Sequence, residues 1–186
     1  YQPVIDLNTD RVSYIETLVR WRQPDGKILM PGVFIRVAEQ SGLIGQLSEL
    51  VVENACRDLA VLQQDNPGLC IGVNLSMHNL HDFNLIEKIR SVLERYQLMS
   101  AALLLEITET GVMLDPNQVI KTLDQLASLG VRLSIDDFGT GLSSFGYLKH
   151  FPVDFLKIDG SFVKEILHDP IDREMVRSIN EIGHLT

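Results

Sequence analysis

The chain has 186 residues, 45% of them hydrophobic, and a formal net charge of −9. That length and apolar content suit one domain with a sizeable core, and the acidic balance lacks the basic stripe a nucleic-acid surface needs. No apolar run approaches the length of a bilayer span and no charged leader precedes an apolar segment, so neither a membrane helix nor a signal peptide is expected.

Tyr1 to Leu7 reads as a strand, Asn8-Thr9-Asp10 as a turn, and Val12 to Trp21 as a second strand, which together make a hairpin. Alternation along the second strand places Glu16, Leu18 and Arg20 on one face. A carboxylate and a guanidinium there could hold a metal and a phosphate, or simply pair with each other across the sheet. Cys56 falls in a helical stretch and Cys70 in a strand run. Without CxxC spacing they read as small core residues of a protein kept in a reducing compartment.

Cys70 to Val73 then leads into Asn74, Ala102 to Leu105 into Glu106, Val131 to Ile135 into Asp136-Asp137, and Phe155-Leu156 into Lys157. Helical patterns fill the gaps, from Phe83 to Leu93 and from Val119 to Leu126, the latter between Asp115-Pro116 and Gly130. Strand, polar tip and helix in succession is the repeat of a parallel sheet. Polar groups at the carboxyl ends of its strands converge on one mouth, where such sheets and barrels carry out their chemistry.

The densest tip is Asp136-Asp137-Phe138-Gly139-Thr140-Gly141. An apolar strand that delivers two acids to a glycine loop must compensate their charge, because a buried lone carboxylate costs several kcal/mol or becomes protonated. A hard divalent cation would compensate it, and a solvated turn is the plainer alternative. Asp137-Phe138-Gly139 also echoes a kinase motif, but no glycine-rich loop or HRD segment accompanies it. His78, His81 and Asp82 suggest a solvated helix start more than a zinc site, since no third ligand lies near in sequence. Trp21 and the phenylalanines read as core or near-core packing.

Several motifs stand in order along the chain: Tyr1-Gln2-Pro3-Val4, Glu16-Thr17-Leu18 with Val19-Arg20-Trp21, Val73-Asn74-Leu75-Ser76, Leu105-Glu106-Ile107-Thr108-Glu109, Asp136 to Gly141 with Ser143-Ser144, and Leu156-Lys157-Ile158-Asp159. Together they resemble the EAL domain family of cyclic di-GMP phosphodiesterases, and the resemblance runs from Tyr1 to Thr186. It implies a TIM-like (β/α)8 barrel with an antiparallel N-terminal hairpin strand. It also implies two Mg²⁺ or Mn²⁺ ions and hydrolysis of cyclic di-GMP to the linear dinucleotide. Glu16, Asn74, Glu106 and Asp136 would ligate one ion, and Asp137 would contribute to the second. Lys157 would sit beside the attacking water, and Arg20 would hold a phosphate oxygen. Gln2 and Leu18 would contact the nucleotide, and Glu109 would steady the loop that bears Asp137.

Three departures qualify the resemblance. Thr17 replaces the alanine of the naming motif and points away from Glu16. Leu142 stands where many members have tyrosine. Only about six strands can be counted, whereas such barrels run to roughly 250 residues. The expectation is therefore an EAL domain truncated at both ends within residues 1–186. A further glutamate ligand would follow Thr186, and the segment alone would be inactive. The whole protein would be a cytoplasmic bacterial signalling enzyme that other domains could tether to the inner membrane, with no membrane contact by this domain. A homodimer and fusion to sensor or GGDEF domains are further expectations. A receptor that binds cyclic di-GMP without hydrolysing it is the alternative, disfavoured because the metal-site acids are all present.

Overall fold

A computed structural model describes residues 1–112, 116–140 and 148–184. The expected hairpin is formed by β1 (Gln2–Asp6) and β2 (Arg11–Thr17), antiparallel, with Gln2 opposite Glu16. Its turn is closed by Asp6, whose carboxylate accepts from the backbone N–H groups of Asn8 and Thr9 at 2.8 and 3.2 Å. β2 stops at Thr17, four residues short of the expected Trp21. Trp21 and Arg22 instead form a separate two-residue strand, β3, antiparallel to β4 (Ile28–Leu29). The strand alternation that would place Leu18 and Arg20 beside Glu16 therefore ends before it reaches them.

The chain continues through α1 (Pro31–Gln40), α2 (Ile44–Leu62), β5 (Cys70–Leu75), α3 (Met77–Leu80) and α4 (Leu85–Arg95). Next come β6 (Leu103–Thr108), α5 (Glu109–Val112), α6 (Pro116–Leu129), β7 (Arg132–Phe138), β8 (Phe155–Ile158), α7 (Gly160–Lys164) and α8 (Pro170–Gly183). The main sheet has the order β1-β2-β5-β6-β7-β8, parallel from β2 onward. It is the curled, incomplete part of a TIM-like barrel, with β1 and β8 as its edges. Segment 141–147, which contains Leu142 and Ser143-Ser144, lies outside the described residues, as does Asp115.

Period-two alternation divides the side chains of each strand between two cores. Ile71, Val73, Leu103, Leu105, Leu133 and Ile135 face the helices and are at most 2% exposed. They meet a helical stripe on α2 (Val52, Ala55, Cys56, Leu59), another on α4 (Leu85, Ile89, Leu93) and a third on α6 (Val119, Leu123, Leu126). Each such buried aliphatic side chain contributes about 1.5–3 kcal/mol. Cys56 and Cys70 are both free and buried, as their spacing predicts. The opposite face is much smaller in its apolar part, with Tyr14, Cys70 and Leu104 packed together. On that face the strands carry Glu16, Asn74, Glu106, Ser134, Asp136 and Lys157 toward the mouth. Trp21 is half exposed, with its ring edge-on to the buried Phe34 at 5.7 Å. Phe83 is 94% exposed, against the expectation of core packing.

Candidate active site

Register brings the tips together. Asn74 lies opposite Glu106 across β5 and β6, and β7 pairs Ser134 with Glu106 and Asp136 with Thr108. Asp154 fixes the approach to β8 by accepting from the Leu133 N–H at 2.8 Å and donating its own N–H back to Leu133 O at 2.9 Å. β8 then delivers Lys157. Carboxylate oxygens of Glu16, Glu106 and Asp136 lie within 4.8 Å of one another. Among the described residues these three make the one cluster of potential metal ligands.

Lys157 Nζ sits among them, 2.7 Å from Glu106 Oε2 and 3.3 Å from both Glu16 Oε1 and Asp136 Oδ2. Burial alone would lower the Lys157 pKa, but its ion pairs outweigh this and raise it. Glu106 has no solvent exposure, and burial raises its pKa despite the ammonium. Its Oε1 is buried without a hydrogen-bond partner. Asn74 is exposed at the rim, where its Nδ2 donates to Glu16 Oε1 at 3.4 Å.

Asp137 does not join the triad. It adopts φ 53°, a left-handed conformation uncommon outside glycine. Burial and the neighbouring Asp136 and Asp159 carboxylates raise its pKa. Asp159, to which the sequence assigned no role, receives Ser161 N–H at 2.7 Å and begins α7. Its signal was its position two residues after Lys157. Gly139, at φ 100°, donates its N–H to the buried Glu109 carboxylate at 2.8 Å. Glu109 thus touches the loop that follows the paired acids and stands outside the triad.

The remaining expected residues lie around the mouth. Gln2 is exposed and adjoins Glu16 through the hairpin register. Leu18 lines a cavity of ≈ 490 Å³ with Thr17, Asn74, Met77 and His78, bounded by α1 and α2. Arg20 is exposed and its guanidinium donates to Val19 O at 2.8 Å, so the structure leaves it apart from the carboxylates. A second cavity of ≈ 470 Å³ between α2 and α4 shares no residue with the triad. His81 Nδ1 lies 2.9 Å from Met77 O at the end of α3, and Asp82 pairs with Lys88 of α4 at 2.7 Å.

A cluster of three carboxylates, one of them with no solvent exposure, fits a hard divalent cation. A charged cluster at the carboxyl ends of parallel strands is the place and the composition of a barrel active site. Known proteins agree. The EAL domain model matches residues 1–185. The cyclic di-GMP phosphodiesterase NbdA of Pseudomonas aeruginosa is 42% identical over 180 residues, covering 96% of this chain and 23% of that protein. The solved complex of the MucR phosphodiesterase with c-di-GMP superposes with a TM-score of 0.94 at 38% identity, covering 100% of this chain and 75% of that one. The FimX EAL domain of Pseudomonas aeruginosa bound to c-di-GMP gives 0.88 at 30% identity, over 98% of this chain and 73% of that one. The chain spans about a quarter of the length of the curated relatives it matches. Sequence, fold and the convergence of strand-tip carboxylates agree that the chain belongs to the EAL domain family.

Proposed function

We propose that this domain is a metal-dependent phosphodiesterase that hydrolyses cyclic di-GMP to the linear dinucleotide. The observation that carries the reading is the convergence of Glu16, Glu106 and Asp136 around Lys157. Relatives named for that activity, and a relative solved with that ligand, support the substrate.

Two Mg²⁺ or Mn²⁺ ions would be held, one by Glu16, Asn74, Glu106 and Asp136 and a second with help from Asp137, which already lies beside Asp159. When bound, such ions activate a water and stabilise the attacking and leaving oxygens of an in-line displacement. Asn74 now turns its nitrogen to Glu16, and a reversed amide would offer its oxygen. Lys157 would leave the triad's centre and set its ammonium against the charge developing on phosphorus. Arg20, exposed at the rim, would turn its guanidinium to a non-bridging phosphate oxygen. Leu18 would pack against a guanine at the 490 Å³ cavity, and Gln2 would contact the nucleotide from beside Glu16. Glu109 would hold the loop after Asp137 through the Gly139 N–H.

No helix among the described residues is long and apolar enough to cross a membrane. The family resemblance extends the proposal to a cytoplasmic module, fused to sensor or GGDEF domains and able to form a homodimer. Incubating the full-length protein with cyclic di-GMP and Mn²⁺, with and without chelator, tests the activity. Cation-dependent release of the linear dinucleotide is expected, and tight binding without turnover would assign a receptor instead.

A further inference from the structure

Beneath the triad, the inner face of the sheet places an aromatic residue and a glycine against the most buried carboxylate. Tyr14 precedes Glu16 by two residues on β2 and shares its face, and it is 8% exposed. Gly72, on β5, lies opposite Glu16. A Cβ on Gly72 would stand 2.6 Å from Glu106 Oε1, 3.1 Å from Tyr14 Cε2 and 3.3 Å from Tyr14 Cδ2. The ring edge and the carboxylate oxygen therefore meet over the Gly72 Cα, in space that any other residue would fill. A tyrosine hydroxyl carries its proton at neutral pH and is available as a donor.

The two oxygens of Glu106 have unlike surroundings. Oε2 faces Lys157, Glu16 and Asp136, and Oε1 is buried with no partner in acceptable geometry. An unsatisfied buried acceptor is unfavourable, and a carboxylate free to rotate would be a poor ligand.

We infer that Tyr14 is a positioning residue for cation binding: its ring, admitted by Gly72, underlies the Glu106 side chain, and its hydroxyl supplies the donor that Oε1 lacks once the carboxylate turns to a cation. Oε2 is thereby directed at the centre shared with Glu16 and Asp136. This rests on the reading of the triad as a cation site and adds the residues that orient its innermost ligand. Tyr14 and Gly72 are both buried.

The test is Mn²⁺ binding by calorimetry to the full-length protein, with melting temperature in chelator measured alongside. Tyr14→Phe keeps the ring and removes the donor. Its Mn²⁺ Kd should rise about tenfold or more, the range for losing a partner of a metal ligand, with KM for cyclic di-GMP unchanged at saturating Mn²⁺. Gly72→Ala should weaken Mn²⁺ binding in the same direction, because the new methyl displaces the carboxylate. Cys70→Ala, in the same apolar cluster, should leave the Kd unchanged. If wild type binds Mn²⁺ and Tyr14→Phe binds equally well, the inference is overturned while the functional reading stands, and a lowered melting temperature with unchanged Kd would overturn it in the same way. Failure of wild type to bind Mn²⁺ would overturn both.

Discussion

Lys157 Nζ lies 2.7 Å from Oε2 of Glu106, a carboxylate with no solvent exposure, and 3.3 Å from two further carboxylates. Three acids share one ammonium, so the cluster keeps a surplus of negative charge. Lys157→Met should destabilise the cation-free protein by about 1–3 kcal/mol, less than for a fully buried pair because the lysine side chain keeps 23% exposure. Mn²⁺ should raise the melting temperature of this variant more than that of wild type, and melting curves with and without chelator check it.

Ligands should separate from scaffold on substitution. Glu16→Ala and Asp136→Ala each remove a charge from partly exposed positions at the mouth, so the fold should persist while turnover falls on the order of 10²–10³-fold or more. Arg20→Ala should chiefly raise KM, since its guanidinium stands apart from the triad. Circular dichroism beside steady-state kinetics distinguishes these outcomes from unfolding.

Gly139 is fixed by conformation and by space. It adopts φ 100°, and a Cβ there would meet Phe162 at 2.9 Å and Ile179 at 3.0 Å. Gly139→Ala should cost about 1–3 kcal/mol in urea unfolding. It should also lower turnover by moving the N–H that Glu109 accepts. Glu109→Ala should lower turnover while Mn²⁺ binding at the triad persists.

Much of this site was legible from apolar runs that end in Asn74, Glu106, Asp136 and Lys157, because a parallel sheet must bring such tips to one end. The break after Thr17 was not. Val12 to Trp21 reads as a continuous strand, and its interruption depends on β3 pairing with Ile28–Leu29, a tertiary choice with no local signal. The Tyr14–Gly72–Glu106 contact was equally hidden, since it joins residues on three strands through a packing constraint. Asp137 was expected to contribute to a second ion, and neither its left-handed backbone at φ 53° nor its nearness to Asp159 was legible in the residues around it.

Acid stability should depend on the contact between α2 and α4. Glu53 accepts from the Tyr96 hydroxyl at 2.6 Å and pairs with Arg95 at 2.8 Å. The Tyr96 hydrogen bond first, and Arg95 after it, lower the Glu53 pKa against the opposing effect of burial. The stabilisation is therefore present above the ordinary carboxylate pKa and is lost as pH falls through the lowered folded value. Glu53→Gln should unfold more readily than wild type at neutral pH, and the difference should vanish in strong acid. Denaturant titrations across that range check the sign.

The most direct measurement is a Mn²⁺ anomalous difference map from crystals of the protein. A peak within ligand distance of Glu16, Glu106 and Asp136, with Lys157 Nζ withdrawn from Glu106 Oε2, is the predicted result. A triad still bridged by Lys157, with no peak among its carboxylates in a protein that hydrolyses cyclic di-GMP, would contradict the assignment of these acids as the metal centre.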